Sequence, residues 1–301
     1  MLKKLSSYTF ALLGLILLFN SCTKEYESIQ SVDETKILEY LKANNLTDRF
    51  KKDASGYYYE ITTQGASTSL KNTDSVFYRY DLKSLAGEVF SETAANGNEG
   101  TFVGYVTPVP YRDILTKLGR GGKFTVILPS YLAFGKNGSG SIGPNEIIMS
   151  NVSVYTQSTQ AAIDKERIQA YLTSKGITNA IEGPGGVYYV VVAPTTPGTA
   201  EKPIEVINFG SSITAKYTGR LLDGTVFDSG TDGTFVFTLA GVIKGWGKVL
   251  PQFSTGAKLR LFIPSGLAYG TSGSTSQTTG ATIIPANAIL DFDIEITAVT
   301  N

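Results

Sequence analysis

Two residue types that often carry out chemistry, histidine and cysteine, are nearly missing from this sequence. Its 301 residues include no histidine and a single cysteine, Cys22. Histidine is the commonest general base and metal ligand, so its absence removes Ser-His and Cys-His nucleophiles. One cysteine can form neither an internal disulfide nor a cysteine-based zinc or iron–sulfur site. The chemistry that remains belongs to other side chains, such as aromatic rings, hydroxyls and carboxylates, and we expect no metal and no cofactor.

Charge and composition exclude further classes. The 26 basic and 26 acidic side chains cancel, and charged residues make up only 17% of the chain. Nucleic acid requires a basic surface, so we expect no nucleic-acid partner. A hydrophobic fraction of 42% over 301 residues is enough for two domains with cores, which excludes a disordered tail or a small disulfide scaffold.

The amino terminus has the pattern of an export signal. Lys3 and Lys4 precede an apolar run over residues 10–19. That run is shorter than the roughly 20 residues of a membrane-spanning helix. It ends in Leu18-Phe19-Asn20-Ser21-Cys22, which resembles the lipobox of a bacterial lipoprotein, whose cysteine is lipidated and becomes the new first residue.

The lipobox resemblance implies a signal peptide over residues 1–21, an acyl chain such as palmitate on Cys22, and a tether over residues 22–33. The alternative is an ordinary secretory signal with a chance cysteine. Thr23 stands where an aspartate would signal inner-membrane retention in some bacteria, so we expect a cell-envelope lipoprotein of the outer membrane, facing the periplasm or the outside.

Seven short blocks rich in aromatic and glycine residues occur in order near the carboxyl terminus. They are Tyr217-Thr218-Gly219, residues 223–229 (DGTVFDS), 235–237 (FVF), 242–246 (VIKGW), Ile263-Pro264, 267–270 (LAYG) and 284–288 (IPANA). Together they resemble an FKBP-type peptidyl-prolyl cis-trans isomerase over residues 205–299. The resemblance implies an antiparallel sheet wrapped around a short helix, with the active pocket between them.

The chemistry of that family suits a site without a nucleophile. Rotating a peptide bond crosses a barrier of about 18–20 kcal/mol, and only before proline is the cis form appreciably populated. No bond between heavy atoms breaks. A dry aromatic pocket that grips the proline ring and stabilises the twisted amide is therefore sufficient.

The resemblance assigns a role to each pocket residue. Trp246 is the floor beneath the proline ring, and the Tyr269 hydroxyl and the Ile243 backbone N–H bind substrate carbonyls. Asp228 faces the twisted carbonyl or orients Tyr217 beside it. The remaining substrate-binding residues are Phe227, Phe237, Val242, Ile284 and Phe292.

Each assignment has a structural alternative. Asp228 is equally suited to capping the turn at Phe227-Asp228-Ser229-Gly230. A buried aromatic taken singly is more often core than site, and only the ordered set of blocks favours a pocket. The sequence also departs from the family in the Ser/Thr/Gly-rich loop 271–282, at Ala286 and at Gly247, which leaves macrolide binding open.

The elements that would position these residues are present twice. Ile37 and Leu41 share one face of a short helix pattern, as do Ile168 and Leu172 about 130 residues later. Strand patterns follow each helix, with apolar and polar residues alternating over residues 289–296. We expect an α+β fold with two tandem FKBP-like domains, each an antiparallel sheet wrapped around a short helix.

The expected boundaries are residues 34–157 for a degenerate FKBP-like domain and residues 158–301 for the isomerase domain. In the first repeat, four replacements compromise the site: Ser91 for Asp228, Tyr111 for Trp246, Phe134 for Tyr269 and Ser150 for Phe292. A literal G-x-G-x-x-G at residues 138–143 is no dinucleotide site, because a strand pattern rather than a helix follows it.

Three functions remain open on this basis. The first is a peptidyl-prolyl isomerase, active in the carboxyl-terminal repeat, that helps exported proteins to fold. Its partners would be proline-containing polypeptides of exported or outer-membrane proteins, and it would meet the membrane only through its acyl anchor. The alternatives are a lipid-anchored, non-catalytic peptide-binding chaperone or assembly subunit, and a duplicated spacer.

Overall fold

The described part of the chain combines α-helices with β-sheets. The computed structural model describes residues 27–195 and 205–301, so Cys22 and the predicted signal peptide lie outside the described residues. The helices are α1 (Ile29–Ala43), α2 (Val109–Leu115), α3 (Gln160–Ser174) and α4 (Lys244–Val249). Within these ranges no helix has the length and apolar character needed to cross a bilayer.

The strands fall into two sets along the chain. The first is β1 (Lys51–Lys52), β2 (Tyr58–Thr63), β3 (Ser75–Lys83), β4 (Val89–Glu92), β5 (Glu99–Phe102), β6 (Lys123–Leu128) and β7 (Ile148–Val154). The second is β8 (Ile181–Glu182), β9 (Tyr188–Ala193), β10 (Ser212–Leu221), β11 (Val226–Phe237), β12 (Lys258–Ile263), β13 (Ser274–Thr275), β14 (Thr282–Ile284) and β15 (Leu290–Thr300). Short 3₁₀ turns lie at Val103–Tyr105, Ser130–Leu132, Gly135–Asn137, Pro184–Gly186, Leu239–Gly241, Leu250–Gln252 and Ser265–Leu267.

Each set of strands forms its own antiparallel sheet, except that β13 and β14 pair only with each other. The N-terminal sheet has the order β1-β2-β6-β7-β3-β4, with β5 also paired to β3. The C-terminal sheet, read from its first strand in the chain, has the order β8-β9-β12-β15-β10-β11, so strands at matching chain positions are neighbours in both sheets. The pairings are antiparallel throughout. The α+β class with antiparallel sheets is therefore confirmed.

Helices cover both faces of each sheet. On one face, Ile37 and Leu41 of α1 pack with Tyr58 of β2 and Ile127 of β6. In the C-terminal sheet, α3 packs in the same way through a separate cluster. On the other face, the short helices α2 and α4 contribute to the two largest apolar clusters, which are the main cores of the two sheets.

A buried carboxylate joins each long helix to its sheet. Asp33 in α1 is fully buried and accepts hydrogen bonds from the backbone N–H and the hydroxyl of Ser130, at 2.8 and 2.7 Å. Asp164 in α3 accepts the same two bonds from Ser265, also at 2.8 and 2.7 Å. Burial raises the pKa of Asp164. In both cases the carboxylate fixes the helix to the 3₁₀ turn after a central strand.

The first helix begins earlier than the sequence predicts. The Ser28 hydroxyl caps α1 by accepting from the Ser31 N–H at 3.2 Å, and the helix starts at Ile29. The prediction of a tether over residues 22–33 is therefore wrong for its last five residues, which are helical. The expected domain boundary at residue 34 cuts through α1 and leaves out Asp33, which anchors it.

Two glycine-rich loops contain short ordered structures. The loop over residues 271–282 contains β13, which pairs with β14 as a short hairpin that the sequence did not predict. The G-x-G-x-x-G segment at 138–143 is a tight turn, closed by backbone bonds of 3.0 and 2.9 Å between Ser139 and Ile142. No helix follows this turn in the described chain before α3, so it lacks the context of a dinucleotide site.

Polar contacts join the two sheets. The loop between β4 and β5 reaches the C-terminal sheet, where the Asn96 side-chain amide donates to Asp223 at 2.7 Å. The Asn287 side-chain amide donates to the Asn98 carbonyl at 2.9 Å. The Asn287 backbone N–H donates to the Gly270 carbonyl at 2.8 Å. One asparagine therefore links the N-terminal loop to the segment that follows Tyr269.

Replacing the buried Asp164 with alanine is expected to lower the free energy of unfolding by about 1–3 kcal/mol, because it leaves the buried N–H and hydroxyl of Ser265 without an acceptor. Urea unfolding of the whole chain, followed by circular dichroism, measures the change. Lys165→Ala is the control: its side chain is 51% exposed in a surface ion pair, and we expect a loss of no more than about 1 kcal/mol. Equal losses from the two variants would contradict this role for Asp164.

Candidate active site

An aromatic cavity of about 380 Å³ lies between α4 and the C-terminal sheet. We call it the Trp246 cavity. Its walls come from β10, β11, β15, α4 and the loops before α4 and after β12. The lining residues are Tyr217, Phe227, Asp228, Phe235, Gly241, Val242, Ile243, Trp246, Tyr269 and Phe292.

Trp246 is held by rings from three strands. Its indole is 3% exposed and makes edge-to-face contacts with Tyr217, Phe237 and Phe292 at centroid distances of 5.7, 5.0 and 5.3 Å. Such edge-to-face pairs are worth about 0.5–1.5 kcal/mol each beyond the area they bury. The rings fix the orientation of the indole, so it offers a rigid surface rather than a mobile side chain.

Two glycines allow the close approach that this packing needs. A Cβ at Gly245 in α4 would lie 2.3 Å from the side chain of Ile263 in β12, so glycine lets the helix sit directly on the sheet. A Cβ at Gly219 in β10 would lie 2.6 Å from the ring of Phe292 and 2.7 Å from that of Phe227. Glycine at this position leaves room for the edge contact between those rings, at 5.5 Å and 86°.

The polar groups of the cavity are few. The Tyr217 hydroxyl donates to Asp228 Oδ2 at 2.8 Å. Burial, assisted by that hydrogen bond, raises the pKa of Tyr217 to about 12, so its hydroxyl stays protonated at physiological pH. Burial also raises the pKa of Tyr269, whose side chain is 41% exposed. The Ile243 N–H makes no backbone hydrogen bond within residues 27–195 and 205–301 and remains available as a donor.

The structure brings together eight of the ten residues that the sequence assigned to this pocket. The other two lie outside its lining. Phe237 is buried behind Trp246 as its packing partner, and Ile284 on β14 is 3% exposed within the core. The sequence analysis missed Phe235 and Gly241. Phe235 lies two residues from Phe237 on β11, so strand alternation already placed both rings on one face.

A second cavity, of about 450 Å³, occupies the matching place between α2 and the N-terminal sheet. We call it the Tyr111 cavity. Its lining residues are Tyr78, Tyr80, Leu82, Glu99, Thr107, Pro108, Tyr111, Leu128, Ala133, Phe134 and Ile148.

The Tyr111 cavity contains two of the four predicted replacements. Tyr111 and Phe134 line it, whereas Ser150 and Ser91 do not. Tyr111 is 3% exposed, and its hydroxyl donates to Ser150. The sequence aligned Tyr111 with Trp246 only loosely, yet the structure places it on the short helix of its own sheet and in its own cavity.

The Trp246 cavity can bind a compact apolar ring and polarise a carbonyl at its mouth. It offers a rigid indole, aromatic walls, one exposed tyrosine hydroxyl and one free backbone N–H. No group of three or more His, Cys, Asp or Glu side chains in the described ranges could hold a metal ion. Its lining includes no cysteine or lysine, and the chain has no histidine, so the geometry favours binding and conformational chemistry over covalent catalysis.

Comparison with known proteins gives the same family for the carboxyl-terminal region. A family described as FKBP-type peptidyl-prolyl cis-trans isomerase matches residues 205–297. The chain is 34% identical over 150 residues to the isomerase FkpA of Aeromonas hydrophila, covering 47% of this chain and 51% of that protein. The chain thus spans about half the length of that relative.

Two shorter relatives are covered more completely. The macrophage infectivity potentiator of Trypanosoma cruzi is 33% identical over 158 residues, which cover 49% of this chain and 74% of that protein. The peptidyl-prolyl cis-trans isomerase Fkbp12 of Drosophila melanogaster is 36% identical over 115 residues, which cover 37% of this chain and 95% of that protein. With the Trp246 cavity in the matched region, the chain belongs to the FKBP-type peptidyl-prolyl cis-trans isomerase family.

Proposed function

We propose that this protein isomerises peptide bonds before proline, and that the reaction takes place in the Trp246 cavity. The observation that carries the proposal is the rigid, buried indole of Trp246, framed by aromatic rings and open at Tyr269. A proline ring is apolar and compact, so it fits on such a surface. The sequence match over residues 205–297 covers the whole cavity.

The proposed mechanism is stabilisation of the twisted amide. The proline ring lies on Trp246 and excludes water from the bond that rotates. The Ile243 N–H and the Tyr269 hydroxyl donate to the carbonyl oxygens on either side of the ring. As the amide twists, its carbonyl loses conjugation, and binding that favours this geometry over the planar one lowers the barrier.

Asp228 acts as a positioning residue in this mechanism. Its carboxylate already accepts the Tyr217 hydroxyl, and Tyr217 packs against both Trp246 and Phe235, the latter at 4.9 Å. The sequence left two roles open for Asp228 within the pocket. This contact supports the role in which Asp228 orients Tyr217. By accepting this hydrogen bond, the carboxylate fixes the orientation of the tyrosine ring that lines the cavity.

We further propose that the chain is a tandem of two FKBP-like units and that only the second is an active isomerase. The shared strand order of the two sheets supports the tandem. In the N-terminal unit the Tyr111 cavity has no indole, and Phe134 replaces the hydroxyl of Tyr269. The proposed substrates are proline-containing segments of exported or outer-membrane proteins.

Cys22 is proposed to anchor the protein to the outer membrane through acyl chains. The support is the order of charged residues, apolar run and single cysteine at the amino terminus. An anchored isomerase would act on polypeptides as they reach the cell envelope, and would need no other membrane contact.

Trp246→Ala should lower kcat/KM for a short Leu-Pro or Phe-Pro peptide at least tenfold more than Tyr269→Phe does, because it removes the platform under the proline ring. Burial of a tryptophan contributes about 3–5 kcal/mol of packing, so urea unfolding must show that the variant is folded. Trp246→Phe, which keeps an aromatic surface, should retain more activity. The matched control is Tyr111→Phe in the other cavity, expected to leave the rate unchanged. A folded Trp246→Ala protein with full activity would place the reaction elsewhere.

Tyr269→Phe should reduce kcat/KM by about two- to twelvefold, since one neutral hydrogen bond contributes about 0.5–1.5 kcal/mol. The ring remains, so the fold and the proline platform are preserved. The rate of cis-to-trans conversion of the same peptide is the measurement. The reciprocal variant Phe134→Tyr adds a hydroxyl to the Tyr111 cavity and should leave the rate unchanged. A gain of activity in Phe134→Tyr would contradict the assignment of catalysis to the second unit alone.

Cys22→Ser should abolish incorporation of a labelled fatty acid and release the protein from the membrane fraction, because no other cysteine is present to accept an acyl chain. Metabolic labelling followed by fractionation measures both effects. Ser21→Ala, at the residue before the cysteine, is the control and should keep the label. Equal labelling of the unaltered protein and Cys22→Ser would show that Cys22 is not the lipidation site.

A further inference from the structure

The Tyr111 cavity and the Trp246 cavity each have one charged side chain, but it stands at a different place in each. Tyr78 of β3 pairs with Glu99 of β5, as Ala215 of β10 pairs with Phe235 of β11. Tyr78 and Ala215 occupy matching positions, because each lies two residues before a cavity tyrosine, Tyr80 in β3 and Tyr217 in β10. Glu99 therefore stands where the C-terminal cavity has the Phe235 ring. A carboxylate therefore replaces an aromatic wall, in a cavity that otherwise keeps its aromatic character.

Glu99 is available to a ligand. It is only partly buried, and it forms none of the ion pairs within residues 27–195 and 205–301. The other lining residues of the Tyr111 cavity carry no charge. In the Trp246 cavity, by contrast, the carboxylate of Asp228 is already bound by a tyrosine hydroxyl. Each cavity thus has one carboxylate, but within the described residues only that of Asp228 accepts a side-chain hydrogen bond.

The remaining walls suit a planar cation. Tyr78 and Tyr80 lie side by side with ring centroids 6.3 Å apart, and Tyr111 and Phe134 complete the lining. Aromatic faces attract cations, and a guanidinium both stacks on aromatic rings and forms paired hydrogen bonds with a carboxylate. A lysine ammonium lacks the flat surface that four rings can cover, so this combination favours arginine.

The surroundings of the mouth favour a polypeptide over a free small cation. Thr107 and Pro108 line the cavity, and their chain neighbours Tyr105 and Val109 are 79% and 50% exposed. Exposed apolar side chains beside a cavity are typical of surfaces that a protein or peptide covers. They would contact apolar residues next to the bound cationic residue.

We propose that the Tyr111 cavity binds an arginine side chain of an extended polypeptide, with Glu99 as the counter-charge. Its ligand class is therefore distinct from the proline ring proposed for the Trp246 cavity. A client carrying both features would be held by the N-terminal unit at arginine while the C-terminal unit acts at proline.

The test is isothermal titration calorimetry of the full chain with a proline-free heptapeptide, Gly-Ser-Leu-Arg-Leu-Ser-Gly, blocked at both ends. We expect binding that weakens at least fivefold when glutamine replaces the arginine, and that weakens with added salt. Glu99→Gln keeps the shape of the side chain and should weaken binding about tenfold, since it removes a charge-assisted hydrogen-bonded pair. Glu92→Gln, an exposed carboxylate on the adjacent β4, is the matched control and should bind normally.

Four results would overturn the proposal. They are equal binding of the arginine and glutamine peptides, equal binding by Glu99→Gln and the unaltered chain, loss of binding in Trp246→Ala, and no measurable binding at millimolar peptide. Loss of binding in Trp246→Ala would assign the peptide to the other cavity. The isomerisation rate of Glu99→Gln should equal that of the unaltered chain, so a failure here is distinguishable from a failure of the proposed isomerase activity.

Discussion

The packing of Trp246 is the constraint on which the C-terminal half of the molecule depends. Three strands each supply a ring to the indole, and α4 must lie close to the sheet for the indole to reach them. That closeness requires Gly245 against Ile263. Register, helix position and cavity shape are therefore aspects of one arrangement, in which two of the three rings around the indole, Tyr217 and Phe292, also line the Trp246 cavity.

The two sheets show how one topology supports two kinds of cavity. In the C-terminal sheet, Gly219 leaves room for Phe292, and aromatic rings fill the space. At the matching positions the N-terminal sheet has Leu82 and Ser150, so an aliphatic side chain fills the space and a hydroxyl accepts from Tyr111. One side chain is larger and the other smaller, so the two exchanges offset each other, and the fold persists as the chemistry of its pocket changes.

Periodicity and ordered motifs were sufficient for much of this structure. Alternation predicted the antiparallel strands, and the four-residue spacing of Ile37 and Leu41 predicted α1, because both patterns follow from the geometry of the backbone. The start of α1 was missed because its cap is a single serine, and the β13–β14 hairpin because β13 is only two residues long, Ser274 and Thr275, in a loop rich in Ser, Thr and Gly. Phe237 was placed in the lining because a motif gives the face of a strand, whereas depth within the core depends on its neighbours.

The contact of Asn287 with the N-terminal loop couples the two halves of the chain. Gly97 lies so close to the Ala286 carbonyl that a Cβ would sit 2.6 Å from it. The Asn287 amide in turn depends on a carbonyl of the same loop. Positions 97 and 98 are thus coupled to positions 286 and 287, which lie 189 residues further along the chain. A substitution in one half therefore constrains the other, and neither half can be replaced without regard to its neighbour.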